Sequence, residues 1–369
     1  MPLRLLFVDL ETEWRGGQSQ ALITLCGLRR RGDDAQLLAV AGGALAKRAR
    51  EAGIPVIEVE VRHKRWRAAS ALRRVLRDAP PDVVYANESH ALTAAWLARV
   101  HRHVTLVAAR RLAYPIQQNP ISRARFRAPH RIFAISDFVA QSVAASGLPA
   151  ERVLVVREGI EIPAPITAAQ RTVARQTWNL ADDEFVLGCV GYLLPEKGQE
   201  ILVRALPAIC DAAPRTRLML AGDGPSRDSL EALARQLGVR ERIIFAGFVE
   251  RIDAVYDALD AFVFPSLAEP SGTSLLAAMA HGLPIAAVAR GGVPEYVRDN
   301  VNGLLISEPE PSAIASAVIR LLADPELPRR LGACARADIA ERYASHVMVE
   351  HFLRACAAAS ESRTRATSR

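Results

Sequence analysis

At 369 residues, the chain is longer than one ordinary hydrophobic core supports and suits two domains of about 150 to 200 residues each. Half of its residues are hydrophobic and 24% are charged, so we expect each domain to bury a core. No apolar run approaches the roughly 20 residues that a membrane-spanning helix needs, and MPLRLLFVDLE is typical of a strand rather than a secretory signal. We therefore expect a protein that is soluble or lies on a membrane surface.

The cysteines argue against both a disulfide framework and a zinc site. There are five of them, they are widely spaced, and they form no CxxC pair: Cys26, Cys189, Cys210, Cys334 and Cys356. An odd number without metal-ligand spacing favours thiols in a reducing cytoplasm.

The net charge of +7 is unevenly distributed. Residues 1–165 carry 25 Lys and Arg against 15 Asp and Glu, whereas the remainder carry 22 against 25. The excess is concentrated between Arg62 and Arg131 and attracts anionic partners. An anionic membrane surface or a phosphorylated acceptor is favoured over nucleic acid, because no aromatic ladder accompanies the basic helix predicted at RHKRWRAASALRRVLRD. A solvated arginine-rich face is an equally good interpretation.

Taken in chain order, short aliphatic runs alternate with helical patterns, which is typical of parallel α/β sheets with helical crossovers. The predicted strands of the first half are LRLLFV, AQLLAV, PVIEV, DVVYA, VTLVAA, RIFAI and RVLVV. Helices are predicted between them, most clearly at 16–31 and 89–100. The run GIEIPAPITAAQ at 159–170 contains Pro163 and Pro165, which prevent regular structure, so it is predicted to link two domains.

A second α/β series begins after this linker. Its predicted strands are FVLGCV, RLMLAG, RIIFAG, AFVFP, PIAAVA and a short one near GLLI, with helices at 199–212, 226–237, 271–280 and 311–322. The sequence therefore predicts an α/β fold with Rossmann-like domains at 1–165 and 171–345. Open parallel sheets bind ligands at the carboxyl ends of their strands, so we expect the functional site in a cleft between these edges. The tail at 358–369 has no apolar period and is predicted to be disordered.

The first strand is followed by WRGGQ, in which Gly16 and Gly17 begin a predicted helix. Two glycines let backbone N–H groups approach a ligand closely, and a helix N-terminus favours an anion. The run is not the GxGxxG fingerprint of dinucleotide-binding proteins. A tight turn without a ligand is the simpler interpretation of these two residues alone.

The first strand of the second domain is followed by GYLLPEKGQE, which places Lys197 immediately before a predicted helix. An ammonium group beside a helix N-terminus makes a compact site for a phosphate. The only other lysines are Lys47 and Lys64. A retained lysine in an arginine-rich chain suggests a role as a point charge, although compositional drift would also leave one.

The run FPSLAEPSGTSLLAAMAHG places Glu269 just before a glycine and a predicted helix. The N–H groups of Gly272, Thr273 and Ser274 are expected at the start of that helix. A carboxylate beside such donors can hold sugar hydroxyls and phosphate oxygens together. The turn at Asp223 in AGDGPSRDSL is interpreted instead as architectural.

The order of these runs, together with GGVPE and DNVNGLL, resembles that of the family 4 retaining nucleotide-sugar glycosyltransferases. That family has the GT-B fold, in which two Rossmann-like domains face each other across a cleft. The resemblance covers about Leu3 to Phe352, and its strength comes from six runs in the right order at the right spacing. It implies that the first domain binds the acceptor, that the second binds the donor, and that a helix at 346–357 crosses back to the first domain.

The resemblance also implies roles for single residues. Lys197 would neutralise the donor diphosphate and Glu269 would contact the transferred sugar, which makes them the predicted catalytic residues. The predicted donor-binding residues are Gly16, Gly17, Gly191, Gly272, Thr273 and Ser274. On the acceptor side, the usual histidine of the family is replaced near Arg110 and Arg111. His90 is the nearest substitute, and a structural histidine fits this position equally well.

Two further positions depart from the family pattern. Tyr192 stands where the family has an arginine of its diphosphate clamp, and Ala277 replaces the second Glu of the E-x7-E element, which holds the nucleotide ribose. In the retaining mechanism that the resemblance implies, the leaving diphosphate itself can take the acceptor proton, so no protein base is required. Lys197 can still stabilise the leaving group. We therefore expect an active enzyme with looser nucleotide recognition.

The sequence thus predicts a retaining glycosyltransferase, of hexosyl- or heptosyltransferase type, that uses a nucleoside-diphosphate sugar. Its predicted acceptor is an anionic glycan or lipid-linked molecule of bacterial lipopolysaccharide or other cell-envelope synthesis. We expect a cytoplasmic protein that can lie at the inner face of the cytoplasmic membrane and binds no nucleic acid. No DxD-type acidic pair is placed to hold a metal, so no metal or other cofactor is expected. The alternative is a catalytically impaired GT-B protein that only binds a glycan or nucleotide.

Overall fold

The computed structural model describes the backbone of residues 3–367 and the side chains of residues 3–364. Its contacts divide the chain into two compact units. Unit 1 runs to Gly159 and resumes at Tyr343, and unit 2 runs from Ile160 to Arg342. The boundaries predicted from the sequence lie slightly later, at 165, 171 and 345.

Unit 1 is built on a parallel sheet. Within residues 3–367 its strands are β1 (Arg4–Asp9), β2 (Asp34–Val40), β3 (Val56–Val59), β4 (Val83–Ala86), β5 (Thr105–Arg110), β6 (Arg131–Ala134) and β7 (Val153–Val155). Their order across the sheet is β3-β2-β1-β4-β5-β6-β7. Each strand lies at a predicted aliphatic run, because strands covered on both faces are nearly continuous in apolar residues.

Helices cover the sheet of unit 1. In the first part of the chain they are α1 (Gly16–Arg30), α2 (Ala44–Glu51), α3 (Lys64–Asp78), α4 (Ser89–Leu97), α5 (Pro120–Arg127) and α6 (Asp137–Ala145). Side-chain caps fix the starts of three of them: Glu88 caps α4, Asn119 caps α5 and Ser136 caps α6. These caps satisfy N–H groups that a helix leaves without a backbone partner, and so set where each loop ends.

Unit 2 repeats the architecture with a second parallel sheet. In the described part of the chain its strands are β8 (Phe185–Val190), β9 (Thr216–Ala221), β10 (Ile243–Gly247), β11 (Ala261–Phe264), β12 (Ile285–Val288) and β13 (Leu304–Ile306), in the order β10-β9-β8-β11-β12-β13. Its helices are α7 (Ala168–Thr177), α8 (Gln199–Ala212), α9 (Arg227–Gln236), α10 (Asp253–Tyr256), α11 (Thr273–Ala280), α12 (Pro311–Ala323) and α13 (Glu326–Arg342). The predicted elements of this half are therefore all present, and the fold is α/β with two Rossmann-like units.

Short 3-10 helices lie in several connections of both units. They span Val100–Arg102, Ala150–Arg152, Pro195–Lys197, Arg240–Arg242 and Val293–Glu295. The predicted linker ends earlier than residue 170, because Thr167 and Gln170 form a capping box that starts α7 at Ala168.

The chain ends in the helix α14 (Ser345–Thr367), which belongs to unit 1. Phe352 packs on the sheet, with its ring centroid 5.1 Å from that of Tyr85. A Cβ atom at Gly27 of α1 would lie 2.5 Å from Cγ2 of Val349, so this glycine lets α1 and α14 approach closely. This helix is longer than the one at 346–357 that the family resemblance implied.

The prediction of a disordered tail at 358–369 is wrong for residues 358–367, which continue α14. The alanine-rich run that follows Cys356 favours helix. Ala359 is buried, and the hydroxyl of Ser360 lies 3.1 Å from that of Thr105. The side chain of Arg363 donates to the carbonyl oxygen of His103. Residues 368 and 369 lie outside the described residues.

Candidate functional site

In each sheet the strand order reverses beside the first strand of the unit. β1 lies between β2 and β4, and β8 lies between β9 and β11. Connections from the two adjacent strands turn away in opposite directions at such a switch point, and open α/β sheets bind ligands in the crevice that results. Most of the predicted site residues follow one of four strands, β1, β4, β8 or β11.

Lys197 and Glu269 form an ion pair at the switch point of unit 2. Lys197 Nζ donates to Glu269 Oε2 at 2.7 Å, and the hydroxyl of Ser266 lies 3.3 Å from the same oxygen. The side chain of Glu269 is 10% exposed and that of Lys197 is 27% exposed. The structure therefore brings the two predicted catalytic residues together and adds Ser266, which the sequence analysis missed.

Glycines hold the loops around this pair in direct backbone contact. Gly198 has φ +69°, and a Cβ atom there would lie 2.1 Å from the carbonyl oxygen of Pro265. Gly291 has φ +61°, and its Cβ atom would lie 2.1 Å from the carbonyl oxygen of Glu269. The same carbonyl accepts the N–H of Gly292 at 2.8 Å. The loops after β8, β11 and β12 are thus fixed against one another around Glu269.

Two helices begin beside the ion pair without a side-chain cap. Gly272, with φ +101°, precedes α11, and Thr273 and Ser274 form its first turn. Gly198 precedes α8 in the same way. Uncapped N-terminal N–H groups and the helix dipole both favour an anion. The predicted donor residue Gly191 follows β8, where its N–H donates to Ala221 at 2.9 Å.

The two positions that depart from the family pattern add no charge to this region. Tyr192 follows Gly191 and is 58% exposed. Ala277 is half-buried on α11, four residues after Thr273. The ammonium group of Lys197 and the two helix N-termini are therefore the features here that would stabilise a diphosphate.

The switch point of unit 1 contains a buried network of polar side chains. The carboxylate of Asp9 accepts from the side-chain amides of Gln18 at 2.9 Å and Asn87 at 2.7 Å. Asn87 also donates to the carbonyl oxygen of Gly17 at 3.2 Å. Burial raises the pKa of Asp9 above its ordinary value despite these hydrogen bonds. The network supports the turn of Gly16 and Gly17, where α1 begins without a side-chain cap.

Glu88 caps α4 within the same switch point. Its carboxylate accepts the N–H groups of Leu10 at 3.1 Å and Ala91 at 2.6 Å, and also that of His90. Burial, followed by the neighbouring charge of Asp9, raises the pKa of Glu88 to about 7. Glu88 is thus partly protonated near neutral pH.

Arg110 and Arg111 have different surroundings, because consecutive residues at a strand end point to opposite sides. Arg111 forms an ion pair with Glu158, and its Nη2 donates to Asn87 at 3.0 Å. A Cβ atom at Gly17 would lie 3.2 Å from Cδ of Arg111. Arg111 therefore packs against the glycine turn, and Glu158 balances its charge. Arg110 lies instead beside α5, with its guanidinium carbon 5.8 Å from the ring centroid of Phe126.

His90 lies in the first turn of α4 and is half-buried. Arg65 Nε donates to His90 Nδ1 at 2.9 Å, which places the proton of the neutral ring on Nε2. Burial, and then the charges of Arg65 and Lys64, lower the pKa of His90. The imidazole is therefore neutral at pH 7 and can donate a hydrogen bond from Nε2.

Glu11, Glu88 and His90 offer three potential metal ligands within 4.8 Å of one another. However, Glu88 accepts backbone N–H groups, and His90 Nδ1 accepts from Arg65. The positive charge of Arg65 further opposes a metal cation. These residues fit a metal poorly, and the expected absence of a metal remains a proposal.

Comparison with known proteins identifies the family. Residues 15–159 match the glycosyl transferase 4-like domain, and residues 170–338 match the glycosyl transferases group 1. A D-inositol 3-phosphate glycosyltransferase of Actinosynnema mirum is 34% identical over 290 residues, which are 70% of this chain and 69% of that protein. The chain belongs to the family 4 glycosyltransferases. Within this family, Lys197 and Glu269 lie in the part that matches the group 1 domain.

Other family members match a smaller part of the chain. An uncharacterized glycosyltransferase of Methanocaldococcus jannaschii is 35% identical, over 53% of this chain and 51% of that protein. A GDP-mannose-dependent alpha-(1-6)-phosphatidylinositol monomannoside mannosyltransferase of Mycolicibacterium smegmatis is 34% identical, over 45% of this chain and 46% of that protein. The matched regions thus span about half the length of these two relatives.

Solved structures of this fold cover nearly the whole chain. Anabaena HepE in complex with UDP-glucose is similar with a TM-score of 0.83 and 24% identity, over 96% of this chain and all of that one. The lipopolysaccharide outer core galactosyltransferase WaaB gives a TM-score of 0.69 and 18% identity, over 96% of this chain and 99% of that one. At these identities the likeness shows the GT-B fold. Among the described residues, no helix combines the length and apolar character needed to cross a membrane.

Proposed function

We propose that the protein is a retaining glycosyltransferase that binds a nucleoside-diphosphate sugar in unit 2 and the acceptor in unit 1. The Lys197–Glu269 pair carries this proposal. It joins an ammonium and a carboxylate at 2.7 Å at the switch point of the sheet, beside two uncapped helix N-termini. This combination offers an anion and a polyol complementary groups in one place.

In the proposed reaction, the bond between the sugar and the diphosphate breaks and a glycosidic bond to the acceptor forms with the same anomeric configuration. Lys197 and the N-termini of α8 and α11 stabilise the negative charge that develops on the leaving diphosphate. Glu269 accepts hydrogen bonds from hydroxyl groups of the transferred sugar. The diphosphate oxygen takes the acceptor proton, so the protein supplies no general base and no metal.

Similar proteins support this choice of substrates. The Anabaena structures contain UDP, UDP-glucose, or UDP with glucose. The relatives include enzymes named for inositol 3-phosphate and for a phosphatidylinositol mannoside, and one structural neighbour is a lipopolysaccharide galactosyltransferase. We therefore propose a hexosyl or heptosyl donor and an anionic glycan or lipid-linked acceptor of the bacterial cell envelope, used in the cytoplasm or at the inner face of its membrane.

A screen of nucleotides and nucleotide sugars by thermal shift tests donor binding. A ligand at about 100 times its dissociation constant stabilises the folded protein by roughly 2.7 kcal/mol. We expect stabilisation by a nucleoside diphosphate and by its sugar conjugate. If no nucleotide of the screen raises the melting temperature, the proposed donor site is wrong.

Substitutions then separate catalysis from binding. We expect Lys197→Ala to weaken donor binding and sugar transfer, and Glu269→Gln to reduce transfer at least tenfold with a smaller effect on nucleotide binding. Arg204→Ala is a matched control, because Arg204 pairs with Glu200 on the exposed side of α8. Binding without turnover in the wild type would favour the alternative, a GT-B protein that only binds its ligand.

A further inference from the structure

Three arginines come together at the first switch point, in unit 1, on elements that are far apart in the sequence. Arg65 lies on α3, Arg110 ends β5 and Arg125 lies on α5. The guanidinium carbons of Arg110 and Arg125 lie 5.8 Å and 5.0 Å from the same ring centroid, that of Phe126. Arg65 donates to the ring of His90 at 2.9 Å. We call Arg65, Arg110 and Arg125 the arginine cluster.

None of these arginines forms an ion pair with a carboxylate among the described residues. Arg110 donates to the carbonyl oxygen of Tyr114, and Arg125 donates to the hydroxyl of Thr93 at 3.0 Å. Arg110 is only 8% exposed, and its Nε has no hydrogen-bond partner within the described part of the chain. A buried guanidinium group without a counter-charge is costly, which distinguishes Arg110 from the neighbouring Arg111 with its Glu158 partner.

The surrounding groups leave the cluster positively charged. Lys64 also contributes a positive charge, and His90 is neutral at pH 7 because burial, followed by the charges of Arg65 and Lys64, lowers its pKa. The nearby acids are Glu11, 3.7 Å from His90, and Glu88, whose pKa is about 7. Burial lowers the pKa of both Arg110 and Arg125. The charge of Arg125 lowers the pKa of Arg110 further, and the charge of Arg65 lowers that of Arg125 while Glu88 opposes this shift. An anion bound here would relieve this repulsion.

We propose that Arg65, Arg110 and Arg125 bind a phosphate group of the sugar acceptor. Guanidinium groups match phosphate oxygens in geometry, and a phosphate monoester carries a charge of about −1.5 to −2 at pH 7. A dianion matches three clustered cations better than a single carboxylate does. The assignment of this phosphate to the acceptor rests on the proposed function, whereas phosphate binding itself does not.

Large apolar side chains are exposed on the elements that carry the cluster. Leu112 and Tyr114 follow Arg110 and are 50% and 68% exposed, and Ile121, one turn before Arg125 on α5, is 67% exposed. Phosphate on a soluble sugar and phosphate on a lipid are therefore both chemically suitable. The experiment has an arm for each source.

Calorimetric titration of the full chain with glycerol 3-phosphate at low salt tests the site directly. We expect binding in the wild type and a dissociation constant at least tenfold higher in Arg65→Gln and in Arg125→Gln. Arg123→Gln removes an exposed charge from the same helix and is expected to change the constant less than twofold. Arg110→Gln serves as a further variant, but it is not needed if its buried position prevents folding.

Lys197→Ala separates this site from the donor site, because phosphate could also bind at unit 2. We expect Lys197→Ala to lose donor binding and to keep glycerol 3-phosphate binding. Absence of phosphate binding in the wild type, equal weakening by Arg123→Gln, or loss in Lys197→Ala would each overturn the phosphate site. If the protein binds no nucleotide sugar but still binds phosphate in a way that depends on Arg125, the proposed function is wrong and the phosphate site is supported.

Vesicles distinguish the two sources of phosphate. Phosphatidylcholine vesicles that contain phosphatidic acid present the phosphate monoester of glycerol 3-phosphate on a lipid surface. Vesicles of phosphatidylcholine alone are the control. Stronger binding to phosphatidic acid that is lost in Arg125→Gln, and competed by glycerol 3-phosphate, indicates a lipid-linked acceptor. Binding of glycerol 3-phosphate alone indicates a soluble one. Vesicle binding that Arg125→Gln leaves unchanged contradicts a role for the cluster.

Discussion

The two switch points hold their charges in different ways. In unit 2, Lys197 and Glu269 neutralise each other on loops that are in backbone contact through Gly198 and Gly291. In unit 1, Asp9 and Glu88 are buried among side chains from separate segments, and the adjacent arginine cluster has no carboxylate partner among the described residues. The first arrangement depends on the path of the backbone, and the second depends on desolvated side chains.

This difference predicts different responses to substitution. A change in unit 2 that adds one carbon atom to a loop glycine should disturb the site, whereas loss of a charge should leave its fold intact. A change in unit 1 that removes one buried charge should destabilise the unit, because the buried group of opposite charge then loses that ion pair.

Replacing Arg111 by methionine should destabilise unit 1 by about 3 kcal/mol, because the buried carboxylate of Glu158 loses the ion pair with Arg111. The double variant Arg111→Met/Glu158→Leu should recover much of this loss, since it buries no charge. Urea denaturation monitored by circular dichroism measures both changes.

An exposed ion pair of the same unit provides the control. Arg4 and Asp82 lie 3.7 Å apart, with side chains 52% and 43% exposed. Arg4→Met should cost less than about 1 kcal/mol, as is usual for surface pairs. If Arg111→Met costs no more than Arg4→Met, the buried ion pair of Arg111 and Glu158 does not stabilise unit 1 more than an exposed pair does.

Gly291→Ala should destabilise unit 2 by roughly 2 to 3 kcal/mol and weaken donor binding, because the added Cβ atom would meet the carbonyl oxygen of Glu269. Gly238→Ala is the matched control. Gly238 has a similar φ of +70° but no atom within 4 Å of the added carbon, so only the backbone strain of about 1 kcal/mol applies. Equal losses in the two variants would show that the loop contacts around Glu269 are not restrictive.

The fold and the unit 2 pair could be predicted from the sequence because their signals are local. Aliphatic runs mark the strands, and both Lys197 and Glu269 follow a strand and precede a helix within a few residues. The order of strands then brings them together, since β8 and β11 are neighbours in the sheet. No long-range side-chain contact has to be known in advance.

The polar groups of unit 1 could not be predicted in this way. Arg110 and Arg111 are adjacent in the sequence, yet one joins the arginine cluster and the other pairs with Glu158. Nothing in the basic run distinguishes Arg65 or Arg125 from the other arginines of α3 and α5, because their meeting depends on how these helices pack. Excess positive charge indicated the region, and the family resemblance indicated Arg110 and Arg111 without separating their roles, but neither signal indicated Arg65 or Arg125.

Glu88 should make the stability of unit 1 depend on pH between about 4.5 and 7, the smallest of these effects. Because its folded pKa is about 7, above the ordinary 4.5, its contribution to the free energy of unfolding is fully present below pH 4.5 and is lost as the pH rises through 7. Glu88→Gln keeps an oxygen to accept the N–H groups of Leu10 and Ala91 but cannot ionise.

The stability of the wild type relative to Glu88→Gln should therefore fall by roughly 1 to 3 kcal/mol between pH 4.5 and pH 8. Burial raises the pKa of Asp9 in both proteins, so the pH dependence that Asp9 contributes largely cancels when their stabilities are compared. The midpoints of urea denaturation of both proteins, taken at closely spaced pH values, measure this difference in stability. A difference that stays constant over this range would mean that the folded pKa of Glu88 is no higher than its ordinary 4.5, so that Glu88 is ionised over most of the range. The negative charge beside the arginine cluster would then be fixed, and phosphate would have to bind against it at every pH.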